Sequence, residues 1–321
     1  MEALVFIDTN IFLDFYRVIG REGGLSILNH LHGNHLRIIT GNQVEMEYKN
    51  NRQRVVLDTY KQLVQIDKGR IQLPAFLAES KQALAITKKR NEANRLVEKL
   101  KHRVRRILRQ PQKYDIVYIS AHRLFRANSP YNLTRDKKER FNIRRMAWKR
   151  FILGYPPRKA NDTTLGDAIN WEWMIKCAKD SGKELVIVSR DSDYGQKLSN
   201  ALLLNDWLLQ EFRERVSKKR KIVLTDRLTE GFKMSGIRVT RMEEREEQQF
   251  LEERFDLKSP IKSRTLDKES MMLFKKIWRV ISEGIKDEEL MYPDIKKYTL
   301  EGKGKRGKDV VPSSDENGDD D

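Results

Sequence analysis

Residues 5–17 read VFIDTNIFLDFYR: a short apolar run, a polar Asp-Thr-Asn triplet, then apolar residues again at helical spacing. That order is a buried strand passing straight into a helix. Asp8 at the junction has two readings: a cap for the helix, the commonest use of an Asp there, or one arm of a metal site. Similar β-branched runs recur at 36–39 (LRII), 185–188 (LVIV) and 222–224 (IVL), with 237–239 a fifth candidate strand. Helical patterns separate them, as in a parallel sheet covered on both faces, so the expected class is α/β.

A chain of 321 residues is long enough for an ordinary hydrophobic core. Its single cysteine, Cys177, excludes an internal disulfide and a Cys-rich zinc site, and a reducing cytoplasm is the expected compartment. The apolar run at 3–7 is far shorter than a signal-peptide core or the ~20 residues that span a bilayer, so no membrane partner is expected. The five histidines (His30, His32, His35, His102 and His122) show no ligand spacing.

The formal charge of +17 and a pI near 9.7 point to a polyanionic partner, nucleic acid above all. The charge is concentrated: residues 88–150 hold 21 Lys/Arg against 5 Asp/Glu. Well over a hundred residues separate the second and third strands, too many for one crossover. A basic helical insertion is therefore expected at 74–157, where Leu96, Val97, Leu100, Val104, Ile107 and Leu108 recur at helical spacing. Its densest cationic cluster is Lys101, Arg103, Arg105, Arg106 and Arg109. Aromatics at Tyr114, Tyr118, Phe125, Tyr131 and Trp148 read first as the insertion's own core, and alternatively as stacking surfaces for unpaired bases. The α/β core then occupies 1–73 and 158–254, closing on a charged, exposed helix (MEEREEQQFLEERF). A C-terminal helical extension is expected at 255–300 and a disordered charged tail at 301–321.

In an open parallel sheet the functional crevice lies outside the carboxyl ends of the strands, so acids just past strands are the ones to compare. Asp8 follows the first strand, and Asp191 and Asp193 follow the LVIV strand in VIVSRDSDYG. Glu45 and Glu47 open the helix after the second strand, in TGNQVEMEYKNNR. Asp167 sits in the first turn of another helix, in TTLGDAINWEWMIKCAK. Taken singly, each is a cap, a turn former or a solvated helix face. Together they put an acid at every element end expected to meet at one crevice. Such carboxylates would raise each other's pKa values, a cost that a divalent cation removes.

In these four motifs the chain resembles the PIN-domain nucleases. Their pattern is a strand ending in Asp-Thr-Asn, a Glu early in a following helix, an Asp opening a later helix, often as Gly-Asp-Ala, and a Thr/Ser-x-Asp-x-Asp after a central strand. Here the corresponding stretches are FIDTN, VEMEYKNNR, LGDAINW and VSRDSDYG, in that order. Asp-Thr-Asn alone is a weak signal; the ordered set is a specific one. The resemblance implies a PIN-like three-layer fold with a central parallel sheet, outside which the basic insertion falls. It assigns metal-binding roles to Asp8, Glu47, Asp167 and Asp191, with Asp193 auxiliary and Glu45 the alternative to Glu47. Asn10 and Ser189 are placed to hydrogen-bond the carboxylates, or equally to shape turns. All-oxygen ligation suits Mg²⁺ or Mn²⁺ rather than zinc.

The implied activity is metal-dependent endonucleolytic hydrolysis leaving a 5′-phosphate and a 3′-hydroxyl, with RNA favoured as target. Larger stand-alone bacterial PIN-like proteins are the nearest type, with a toxin-like or phage-defence effector as the implied setting. The alternatives are a catalytically silent PIN scaffold that binds nucleic acid, and a flap or single-strand DNA nuclease. A homo-oligomer or a regulatory protein partner fits either. A phosphatase of the haloacid-dehalogenase type also starts with Asp after a strand, but needs a second Asp where Asn10 stands.

Overall fold

The computed structural model describes residues 3–17, 25–67, 75–157, 164–198 and 201–258. They lie in the first of two compact units, Met1–Pro260 and Ile261–Asp321. The expected extension past residue 258 and the expected tail at 301–321 fall outside the described residues.

In chain order the strands are β1 (Ala3–Ile7), β2 (Ile38–Gly41), β3 (Asn132–Leu133), β4 (Glu184–Val188), β5 (Gly195–Leu198), β6 (Ala201–Leu204) and β7 (Ile222–Thr225). The helices up to β3 are α1 (Thr9–Asp14), α2 (Asn29–Gly33), α3 (Asn42–Asp67), α4 (Ala75–Ala78), α5 (Lys81–Arg109), α6 (Pro111–Tyr114) and α7 (Ile116–Phe125). After it come α8 (Glu139–Ile152), α9 (Gly166–Ser181), α10 (Asp206–Arg215), α11 (Leu228–Met234) and α12 (Arg241–Lys258).

Five strands form one parallel sheet in the order β3-β2-β1-β4-β7, with helices flanking it. β1 is central and every one of its residues is buried, as its unbroken apolar sequence requires between two helical layers. From β1 the chain moves out to β2 and β3, then returns to the far side of β1 for β4 and β7. The order therefore reverses between β1 and β4, and the crevice for function opens at their carboxyl ends.

Two strand expectations are corrected. Residues 237–239 do not join the sheet, because the Ile237 N–H is spent closing α11 onto the Phe232 carbonyl (2.9 Å) past Gly236, whose φ is +77°. Such a left-handed closure is a common helix ending and leaves that N–H unavailable to a ladder. The fifth strand is instead β3, two residues that pair with Thr40 and Gly41. The second strand also starts later than LRII suggests, since His35–Arg37 form a 3-10 turn. The β5–β6 hairpin has no counterpart in the sequence reading.

The expected separation of 74–157 from the core is redrawn as well. β3 lies inside that stretch, and Val117, Ala121, Leu124, Phe125 and Ile143 belong to the main hydrophobic core. The stretch is also tied to α3, whose Arg52 bonds Asp115 at the start of α7 (2.7 Å) and the Ile107 carbonyl at the end of α5 (2.8 Å). Tyr118 and Phe125 are buried, but in the main core and not in a core of the insertion's own, whereas Trp148 is 54% exposed. The terminal helix α12 is not simply solvated: Glu243 and Leu251 are buried, and Glu247 accepts from the Leu228 and Thr229 N–H groups of α11.

A buried ionic network ties α8, α9 and α10 together. Arg150 reaches Glu172 (2.9 Å), Glu211 and the Pro156 carbonyl, and Arg215 joins Glu172 (2.6 Å). A guanidinium fork can serve three acceptors at once, which an ammonium on a flexible stem does not reproduce. Arg150→Ala removes the more deeply buried of the two arginines that meet Glu172, and with it a partner of Glu211 and of the Pro156 carbonyl. The expected cost is about 3–5 kcal/mol of unfolding free energy, measurable by urea denaturation, with Arg150→Lys recovering only a minor part.

Candidate active site

Asp8 stands one residue past Ile7, which pairs with Val188; Ser189 stands one residue past Val188. The register therefore brings the two side chains together, and the Ser189 hydroxyl donates to Asp8 Oδ2 at 2.6 Å. Asn10 Nδ2 donates to the same oxygen (2.8 Å) and to Ser189 Oγ (3.2 Å), and Asn10 Oδ1 accepts from the Arg190 N–H (3.2 Å). Asp8 Oδ1 accepts from the Thr9 N–H (2.6 Å), so Asp8 caps α1 from its place at the end of β1.

Glu47 arrives from the second turn of α3. Thr9 Oγ1 donates to its Oε2 (3.0 Å) and Gln43 Nε2 to its Oε1 (2.6 Å). That carboxylate lies over Gly166, where an added Cβ would come within 2.1 Å of Oε1. Glycine at the start of α9 thus lets Glu47 approach the helix end that carries Asp167. Glu45 points elsewhere and pairs with Lys49 (2.6 Å), so geometry places Glu47 and not Glu45 beside Asp8.

Asp191 and Asp193 lie on the loop after β4. The Asp191 N–H donates to Ser189 Oγ (3.2 Å), and Asp191 Oδ1 accepts from the Ser192 N–H (2.9 Å). The loop is anchored by Arg190, which bonds Asp14 (2.9 Å), Glu247 (2.6 Å) and the Asp226 carbonyl (2.9 Å). Asp14 reads in the sequence as a helix-surface residue with no counterpart in the acidic pattern. The structure corrects this: it is 1% exposed and held by Arg17 and Arg190.

Burial and like charge act on this crevice. Burial is the main force pushing the Asp8 carboxyl up to about 7; the Ser189 and Thr9 hydrogen bonds oppose it, and the Glu47 and Asp191 charges add to it. Tyr194, fully buried next to Asp193, is raised well above the usual phenol range by burial and by Asp167, Asp8, Glu47 and Asp193. It stays protonated, and its hydroxyl has no hydrogen-bond partner among the described residues. The sequence reading missed Tyr194, because an aromatic between Asp193 and Gly195 reads as ordinary core. The charges of Asp8, Glu47, Asp167 and Asp193 all reach this one hydroxyl, and that of Asp191 reaches Asp8. In this arrangement, however, no three or more Asp, Glu, His or Cys side chains among the described residues stand close enough to hold a metal ion.

The expected cationic cluster on α5 is only partly available. Lys101 is 4% exposed and bonds Glu98 (2.7 Å), which removes it from any surface role. Arg105 bonds the Tyr60 hydroxyl (2.6 Å), while Arg103, Arg106 and Arg109 are exposed.

Because the folded chain holds the Asp8 proton more tightly than the unfolded chain does, the Asp8 contribution to stability is intact below about pH 4. It is lost as pH rises to about 7. In chelator at pH 8, Asp8→Asn is therefore expected to melt at a higher temperature than wild type, and the difference to vanish near pH 4. Thermal denaturation across that range measures it.

Among the described residues, no helix is long and apolar enough to cross a membrane. No curated protein and no solved structure matches the chain. The family model described as PIN domain matches residues 5–194, a span that runs from β1 to the acidic loop after β4 and takes in Asp8, Glu47, Asp167, Asp191 and Tyr194. With that match covering more than half of its length, and with a central five-stranded parallel sheet flanked by helices, the chain belongs to the PIN-domain family, whose members are generally nucleases.

Proposed function

We propose that the chain is a divalent-metal-dependent endonuclease that hydrolyses phosphodiester bonds, with RNA its favoured target. The observation that carries this reading is electrostatic coupling without compensation: Asp8, its carboxyl pushed up to about 7, feels Glu47 and Asp191, and Asp167 and Asp193 act together with Asp8 and Glu47 on the buried Tyr194 hydroxyl. Membership of a nuclease-type family supports it. The preference for RNA, and a role as a toxin-like or defence effector, rest on resemblance alone.

The donor set consists of carboxylate oxygens, which fit a hard cation such as Mg²⁺ or Mn²⁺. Asp8, Glu47, Asp167 and Asp191 would hold it, with Asp193 in support. When bound, such a cation supplies Lewis acidity: it acidifies water and neutralises charge growing on the phosphodiester. The protein's own part is orientation. Ser189 and Asn10 fix Asp8, Thr9 and Gln43 fix Glu47, and Gly166 leaves space between Glu47 and α9. In the net reaction, water adds to phosphorus and the P–O3′ bond breaks, leaving a 3′-hydroxyl and a 5′-phosphate.

A second reading, a silent scaffold that binds nucleic acid without cutting it, draws on the distance these acids keep from one another in this arrangement. The two readings part on one experiment. Labelled single-stranded RNA, duplex RNA and single-stranded DNA are incubated with protein in Mg²⁺, Mn²⁺ or EDTA. Cleavage is expected to need the metal, and to fall at least a hundredfold in Asp8→Asn, Glu47→Gln and Asp167→Asn, roughly the scale of losing an essential electrostatic group. Glu45→Gln should cut normally. Mn²⁺ should also raise the melting temperature of wild type but not of Asp8→Asn, a readout independent of activity. Binding without cleavage in every metal would establish the scaffold instead.

The exposed arginines of α5 supply phosphate contacts in this reading. Reversing Arg103, Arg106 and Arg109 to Glu should weaken binding and flatten its salt dependence, by about 0.7 in log–log slope for each single-strand phosphate that is no longer neutralised. Metal-induced stabilisation should not change.

A further inference from the structure

α8 carries large aromatic side chains in water where a folded chain would ordinarily bury them. Ile143, Ala147 and Arg150 form its buried face. Directly opposite, at helical spacing, stand Phe141 (62% exposed), Arg145, Trp148 (54%) and Ile152 (63%), flanked by the exposed Arg144 and Lys149. Phe141 lies beneath the Arg140 guanidinium (4.5 Å), and the Trp148 ring stacks on Phe151 (6.3 Å between centroids, 20°). These contacts hold the rings upright without covering them.

The stripe leads toward the carboxylate crevice. Glu139, which opens α8, acts on Lys176 late in α9, whereas Arg150 near its end bonds Glu172, five residues past Asp167. The C-terminal end of α8 therefore packs on α9 between one and two helical turns from Asp167. Just past α8, the exposed Tyr155 packs on the exposed Trp207 of α10 (centroids 5.1 Å apart, 39°). Both are anchored from behind. Arg150 holds the Pro156 carbonyl, and Asn205 caps α10 by accepting from the Trp207 N–H (3.0 Å). The Asn205 N–H in turn donates to the carbonyl of Tyr194, the residue on which the crevice charges converge (2.9 Å).

We propose that the outward face of α8, continuing into the Tyr155–Trp207 pair, is the surface that takes an unpaired stretch of nucleic acid strand and leads it to the crevice. Flat rings alternating with cations match a strand whose bases are free to stack and whose phosphates need counter-charge. A duplex hides its base faces. The charge on this face is of one sign, with Arg144, Arg145 and Lys149 exposed and no acid between Arg140 and Tyr155, which a polyanionic strand matches. The surface is separate from the arginines of α5, and its role in feeding the crevice rests on the nuclease reading.

The test is fluorescence anisotropy in chelator, so that nothing is cut, using three labelled ligands: a uridine-rich single strand, the same strand with abasic sites, and a duplex. Trp148→Ala and Trp207→Ala remove exposed side chains, and circular dichroism checks that both stay folded. Each should weaken binding of the intact strand roughly tenfold, as loss of one base–aromatic stack does, with the salt slope unchanged. Trp148→Phe and Trp207→Phe should restore most of the affinity, and the abasic strand should bind wild type and variants alike. Wild-type affinity in both alanine variants overturns the proposal; so does an equal loss on the abasic strand, or a wild type that binds no single strand. A dimer that Trp148→Ala converts to monomer would assign the face to a second copy and also overturn it. The nuclease reading fails separately: ring-dependent binding with no cleavage in any metal leaves this surface standing, and cleavage with ring-independent binding leaves the nuclease standing.

Discussion

The parallel pairing of Ile7 with Val188 is the contact on which the crevice depends. It sets Asp8 beside Ser189 at the end of the sheet, and a slip of one residue would leave the two on opposite faces. The register is secured by burial. All of β1 and all but the first residue of β4 are buried, so a slipped pairing would misplace a row of apolar side chains along with the acid. From that fixed point Asn10 ties the loop after β1 to the loop after β4, and Thr9 reaches across to Glu47 on α3.

The chain treats its buried acids in two opposite ways. Asp14, Asp115 and Glu172, with the half-buried Glu247, are each met by an arginine, and each pair joins two different elements: α1 with the loop after β4, α3 with α7, α8 with α9, and that same loop with α12. Breaking one half of such a pair leaves a buried charge without compensation, which is why they hold elements in place. Asp8 is handled differently. The groups that bond it are neutral, a hydroxyl, an amide and a backbone N–H, while its charged neighbours are acids. Neutral donors orient the carboxylate without cancelling its charge, so the crevice keeps a net attraction for a cation at some cost in stability.

Positive charge is likewise divided between structure and surface. Lys101 and Arg150 serve the interior, and Arg105 is held by Tyr60, so the raw count of cations at 88–150 overstates what a polyanion could touch. What is left in solvent falls on two faces of different character. α5 offers Arg103, Arg106 and Arg109, whereas α8 interleaves its cations with uncovered rings. The first suits phosphates and the second suits bases as well.

The strand ends, the acids that follow them and the α/β class were legible in the sequence because they depend on local pattern: apolar runs of strand length, helical periodicity between them, and acidic residues at the joins. The ordered motifs also carried the family, which residues 5–194 match. What depended on pairing across distance was not legible. Residues 132 and 133 have no strand-like run and enter the sheet only because β2 offers an edge, whereas residues 237–239 have the run and stay out because α11 uses the Ile237 N–H. Asp14 looked like surface until Arg190, 176 residues later, met it, and only the fold shows Thr9 and Gly166 against Glu47 while Glu45 pairs with Lys49. The sequence by itself determined which elements form and which residues carry charge. Only the tertiary structure decided which of those charges are neutralised and which are left facing one another, because electrostatic compensation is set by separation in space and by burial.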